Sequence, residues 1–241
     1  MHDARASPPA AAADPTETAR ALLTAVRYGE PVDPHFEALA ALDHDALSRV
    51  RTSRRHGLAF WLNVYNAAAQ VLLDRRPGLF ESTWRFFRAT AVTVAGVGLS
   101  LDDIEHGLLR DRRSKYGLGY LPRLPGTGLG AEYRLGRDPR IHFALNCGAA
   151  SCPAVLAYEP DRLDESLDDA AATYLEQTVA YDAARDRATL PRVCLWFVGD
   201  FDGLSGLRDC LREYGVVPAD AAPSLRFAAY DWSKAPREFG F

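Results

Sequence analysis

The sequence has little that would staple, charge or anchor a fold from outside. Its four cysteines, Cys147, Cys152, Cys194 and Cys210, are too few for a disulfide scaffold, and none stands in the paired two-residue spacing of a zinc ribbon. Reduced thiols are therefore expected, with neither a bound metal nor a cofactor. Cationic excess is also missing: 28 Lys and Arg face 32 Asp and Glu, for a formal net charge of -4. The basic clusters, such as residues 51–55, are short, so no nucleic-acid partner is expected. No apolar run approaches membrane-spanning length, and the first fourteen residues, MHDARASPPAAAAD, lack the continuous apolar core of an export signal. The expectation is a cytoplasmic protein with no membrane partner. Internal repeats and linkers are absent too.

What remains is a chain of 241 residues, long enough to bury a full core unaided. Residues 1–14 read as disordered, and 15–28 and 34–54 carry helical spacing as a preface to the rest. Residues 57–74, GLAFWLNVYNAAAQVLLD, form a stronger helical pattern, with Trp61, Val64, Tyr65, Ala68 and Leu72 repeating at three and four. Asn63, Asn66 and Gln70 form one stripe of amides on that otherwise apolar helix and need partners. A helix over 101–112 follows, with Ser100 and Asp103 as a capping box. Strands are expected over 141–147, 193–198 and 225–230, a short helix over 153–158, and longer helices over 161–179 and 203–214. Residues 117–132 read as an irregular Gly- and Pro-rich loop. The pattern is that of an α+β fold: a helix-rich single domain, residues 15–241, around a small, mainly antiparallel sheet.

The stretch RIHFALNCGAASCPAV, residues 140–155, concentrates the candidate chemistry. Read as a strand, it puts His142 on one face and Cys147 among large apolar residues on the other, where a buried thiol could simply fill space. Pro153 suits the first position of a helix, which would leave Cys152 at its cap, where unpaired amides favour a thiolate. His142 could then serve as base, or be a hydrogen-bonded structural residue. On the 101–112 helix, Glu105 shares a stripe with Leu101, Ile104 and Leu108. A carboxylate facing the core must find a partner, either an imidazole or an internal cation such as Arg140 or Arg110. His106 points to a more polar face and reads as solvated.

Several motifs resemble one family, the domain of unknown function 547: AFWLNVYNA at 59–67, SLDDIEHGLLR at 100–110 and DPRIHFALNCGAASCP at 138–153, with VGDF at 198–201 and YDWS at 230–233 as weaker matches. These make 55–241 the family-like core. The resemblance implies a mixed helix and sheet domain of a rearranged papain or transglutaminase type. It also implies an acid, base and nucleophile in the chain order Glu105, His142, Cys152, with Cys147 in reserve.

The function expected is a cysteine-dependent amide or peptide hydrolase or acyl transferase working through a thioester, with a peptide or small amide as substrate. Asn63, Asn66 and the backbone around Ser151 would bind substrate or the oxyanion, unless the asparagines form a buried network instead. Two rivals remain open: a thiol redox protein using Cys147 and Cys152, and a non-catalytic binding or scaffold module.

Overall fold

The computed structural model describes residues 14–123, 128–236 and 239–240. Expected disorder over 1–14 thus falls outside the described residues except at Asp14, whose carboxylate accepts the Thr16 N–H at 2.8 Å and caps α1 (Pro15–Tyr28). The stretch 34–54 is not one helix. It breaks into α2 (Asp33–Ala40) and α3 (Ser48–Thr52) because the Asp43 carboxylate takes the Ala46 N–H and turns the chain between them.

The central helix α4 (Arg54–Arg75) is buried at every position from Gly57 to Leu73, as a helix apolar on all faces must be. The α1 stripe of Ala19, Leu22, Leu23 and Val26 packs into the same core as α4. α5 (Thr83–Arg88) and a hairpin of β1 (Thr90–Val94) and β2 (Val97–Ser100) follow. Ala95 and Gly96, at φ +49° and +74°, form the left-handed pair that a two-residue hairpin turn requires. Periodicity alone does not reveal these three elements.

The 101–112 helix starts as expected, with Asp103 N–H donating to Ser100 Oγ and Ser100 N–H to Asp103 Oδ2. It then widens into a π-helix over Asp103–Leu109, in which the Arg110 N–H reaches back to the Glu105 carbonyl. A wider turn brings consecutive residues onto one side, so Glu105 and His106 are both buried.

Three expected elements take another form. Residues 141–147 make no strand: Asp138 caps and Pro139 opens a 3₁₀ turn, Pro139–Phe143. The backbone beyond it bonds to the amide stripe of α4 instead of to a neighbouring strand. Asn66 donates to the Ala144 carbonyl at 3.0 Å and accepts the Asn146 N–H at 2.9 Å. Asn63 does the same for the backbone carbonyl and N–H of Tyr158, so residues 153–158 are held extended and form no helix.

After α6 (Leu163–Thr178), β3 (Ala180–Asp182) and β4 (Arg187–Leu190) pair antiparallel. The apolar run 193–198 is helical, α7 (Arg192–Trp196), started by Pro191; a short buried run of this kind fits either structure. α8 (Gly203–Glu213) then leads to β5 (Ser224–Phe227), parallel to β4. The molecule is an α+β domain, rich in helix, with one antiparallel hairpin and one mixed three-stranded sheet. No described helix is long and apolar enough to cross a membrane.

Candidate active site

A cavity of about 400 Å³ draws its walls from both apolar clusters, Tyr65, Leu145 and Cys147 from the larger and Val193 from the smaller. Cys152, Cys147, His142 and Glu105 all line it. Ser151, Asn63 and Asn66 do not.

The two cysteines sit on a loop that turns at Gly148, φ +86°, where an added Cβ would stand 2.0 Å from Leu73 Cδ1. The C-terminal segment is sewn onto that loop: Ala150 N–H donates to the Ser233 carbonyl, Ala235 N–H to the Gly148 carbonyl, and Asp231 N–H to Ser151 Oγ, each at 2.8 Å. This docking brings the Tyr230 hydroxyl to 3.3 Å from Cys152 Sγ. Cys147 Sγ and the Cys147 N–H also lie 3.3 Å from Cys152 Sγ. Cys152 therefore caps no helix; three donors surround its sulfur instead. The hydrogen bond from the Cys147 thiol lowers the Cys152 pKa, with the Tyr230 hydroxyl and the Cys147 N–H adding to it against the opposing effect of burial. The same contact, together with burial, pushes Cys147 well up. The Cys147 N–H, a donor by necessity, points to Cys152 Sγ, so of the two sulfurs Cys152 is the better placed to carry a negative charge. Cys194 and Cys210 lie outside the cavity, and burial raises both.

Among the described residues, His142 is not a hydrogen-bond partner of Cys152. Its Nε2 lies 2.9 Å from Asp200 Oδ2, and its ring stacks on Phe197 at 4.4 Å and 11°. Burial raises the Asp200 carboxyl, but the His142 and Arg110 hydrogen bonds outweigh it and hold the group at about 2. An ionised Asp200 assigns the proton to Nε2 and leaves Nδ1 as the acceptor. Burial lowers the His142 pKa, partly offset by Asp200, so the ring is a neutral base.

A buried polar chain runs from behind the cavity wall, at Asp200 and Arg110, into the wall itself at His106 and Asp102. Arg110 donates through Nε to Asp200 at 2.6 Å and through NH1 to His106 Nδ1 at 2.9 Å. His106 Nε2 lies 3.6 Å from Asp102, which pairs with Lys115. His106 is thus buried rather than solvated, and burial followed by Arg110 keeps it far below the ordinary histidine range.

Glu105 is where the expected triad parts from the geometry. Its carboxylate accepts from Tyr65 at 3.3 Å and lies 3.6 Å from His106, while Asp200 occupies the ring of His142. Arg110 and Arg140, the alternative partners, pair with Asp200 and with Asp138, Asp164 and Asp168 respectively. Burial lifts Glu105 from 4.5 to about 7. A carboxyl raised by folding stabilises the fold most below its unfolded pKa, and the benefit fades as pH rises through about 7. Glu105→Gln should therefore gain on the wild type by roughly 2–3 kcal/mol between about pH 5 and about pH 8, read by urea unfolding at both. A difference independent of pH would contradict this.

The substrate-binding roles expected of Asn63, Asn66 and Ser151 do not match their positions. Both asparagines are fully buried with their amides committed to backbone, and the backbone N–H groups of Ser151 and Cys152 donate to the Asp231 and Ala149 carbonyls. The fold adds Phe197 and Tyr230 to the cavity wall, and behind it Asp200 and Arg110, which hold His142. The sequence carried a signal for two of these, because Asp200 and Tyr230 fall within VGDF and YDWS.

No curated protein and no solved structure matches the chain. A family model described as a protein of unknown function, DUF547, matches residues 50–175, which contain the amide stripe, Glu105, His142, Cys147 and Cys152, and stop short of Asp200 and Tyr230. Since that match covers more than half of the sequence, the chain belongs to the DUF547 family.

Proposed function

We propose that the protein is a thiol-dependent acyl hydrolase or acyl transferase acting on an amide, peptide or ester carbonyl. The observation that carries this reading is the Cys152 sulfur, surrounded by the Cys147 thiol, the Cys147 N–H and the Tyr230 hydroxyl in a cavity that also holds His142. A thiolate so held is nucleophilic near neutral pH. Its attack forms the S–C bond while the carbonyl pair moves to oxygen. The donors beside Sγ then lie close to the developing oxyanion. Collapse breaks the bond to the leaving group, which departs with the electron pair of that bond and takes its proton from water. Nδ1 of His142, freed by the Asp200 contact, next accepts a proton from water or an amine that resolves the thioester.

One observation favours a second reading, thiol redox chemistry. The two sulfurs are 3.3 Å apart, so Cys147 could resolve a mixed disulfide formed when Cys152 attacks a disulfide substrate, which leaves as two thiols while the protein is oxidised.

Cys147→Ser separates the two, since it keeps a hydrogen-bond donor but cannot form a disulfide. The expected result is an acyl adduct on Cys152 with p-nitrophenyl acetate, seen by mass spectrometry in the wild type and in Cys147→Ser and absent from Cys152→Ser. Reduction of glutathione disulfide that needs both cysteines, with no acyl adduct, would replace the acyl reading by the redox one.

A further inference from the structure

Beside Cys152 the cavity is walled by rings. Tyr230, whose hydroxyl touches the sulfur, packs on Trp196 at 4.9 Å and on Trp232 at 4.5 Å between centroids, and Trp232 continues to Phe87 at 6.3 Å. Trp84 completes this wall. In a protein with a large buried core, Trp84 and Trp232 are left 59% and 37% exposed. Aromatic groups left open around a cavity favour a ligand that covers them. Charge narrows the choice further. Cations already sit over rings at this rim: Arg88 over Trp84 at 5.2 Å, Lys115 over Tyr116 at 5.7 Å, and Lys234 over Phe80, itself packed on Trp232, at 6.0 Å. The two carboxyl groups that line the cavity are already engaged, Asp102 by Lys115 and Glu105 by Tyr65, so a cationic ligand would compete with cations already on the rings, and the wall suits quaternary ammonium groups poorly. A flat neutral ring instead gains edge and face contacts with each wall residue. The volume, about 400 Å³, lies within the range of small-ligand sites.

We infer that the acyl group delivered to Cys152 is an aryl acyl group, seated on Trp84, Phe87, Trp196 and Trp232 with its carbonyl at the sulfur. This rests on the acyl-transfer reading of Cys152 and specifies its substrate class. In the step itself, the Cys152 thiolate forms the S–C bond to the aryl acyl carbonyl carbon and the leaving group departs with the pair of the broken bond.

The test compares p-nitrophenyl esters of phenylpropionate, acetate and trimethylammoniobutyrate, following nitrophenol release and the adduct on Cys152. The phenylpropionyl ester is expected to react at least about tenfold faster in kcat/KM than either comparator, because a buried ring adds contacts that neither of them can make. That preference should collapse in Trp84→Ala, whose side chain is mostly exposed, and in Trp232→Ala, where the rate with the acetyl ester reports any disturbance of Tyr230 and the sulfur beside it. Equal rates for the three esters, preference for the cationic one, or a preference that survives both variants would overturn the aryl subsite while leaving the thiol reading in place. If no ester acylates Cys152, the subsite is read directly by titrating phenylpropanamide into Cys152→Ser and following tryptophan fluorescence. Saturable quenching then supports the aryl subsite and rejects the acyl-transfer reading, whereas no response overturns both.

Discussion

Asp200→Ala is expected to lower the free energy of unfolding by about 3–5 kcal/mol, the cost of leaving a buried charge without its partner. Arg110 is only 1% exposed, and its Nε rests on Asp200 at 2.6 Å. Its NH1 is shared between His106 and the Ser114 carbonyl, while NH2 has no partner among the described residues. Removing the carboxylate thus strands a guanidinium that water cannot reach, and also removes the acceptor of His142 Nε2. A double replacement, Arg110→Met with Asp200→Leu, removes both charges and should recover much of the loss. Because Asp200 titrates at about 2, below its unfolded value of 3.8, its contribution is complete above that value and is lost as pH falls through about 2. Urea unfolding near neutral pH measures all three proteins. A loss under about 1 kcal/mol in Asp200→Ala would mean that Arg110 is solvated in a way this fold does not provide.

The parts of the fold legible in sequence are those whose signal is local. Pro15 and Gly29 bracket α1, and Ser100 with Asp103 starts the next helix, because caps are made by residues a few positions apart. The buried α4 is equally plain from its composition. Residues 141–147 mislead because their backbone partner is Asn66, far away in sequence, which performs the hydrogen bonding that a strand neighbour would otherwise supply. Asn63, Asn66 and Gln70 declare that they need partners, but not that the partners are backbone. The π-helix over Asp103–Leu109 defeats the helical wheel in a similar way: a regular turn places His106 outside, and the wider one brings it in. At the site, Cys152, His142 and Glu105 stand out as polar residues in apolar settings, and all three reach the cavity. VGDF and YDWS mark Asp200 and Tyr230 but not what they contact, since Asp200 lies 58 residues beyond His142 and Tyr230 lies 78 residues beyond the sulfur, and only folding joins each pair.

Tyr230→Phe is expected to raise the pKa of Cys152, and this shift carries the account of the site. An ordinary thiol has a pKa near 8.5 and is only about 1% thiolate two pH units lower. The Cys152 thiolate gains most from the hydrogen bond of the Cys147 thiol, which exceeds the opposing effect of burial, and the Tyr230 hydroxyl adds a smaller contribution. Tyr230 itself stays protonated, because burial and the two neighbouring cysteines push its hydroxyl far up, so it acts only as a donor. Phenylalanine keeps the ring against Trp196 and Trp232 and removes only the hydroxyl. The decisive measurement is the pH profile of iodoacetamide labelling at Cys152, read by mass spectrometry in the wild type, Tyr230→Phe and Cys147→Ala. The inflection is the quantity to compare, since absolute rate also falls as a thiolate becomes less basic. The account predicts a wild-type inflection well below about 8.5 that moves up in both variants, further in Cys147→Ala. An inflection near 8.5 in all three proteins would contradict it, and would make Cys152 an ordinary thiol in a cavity built for something else.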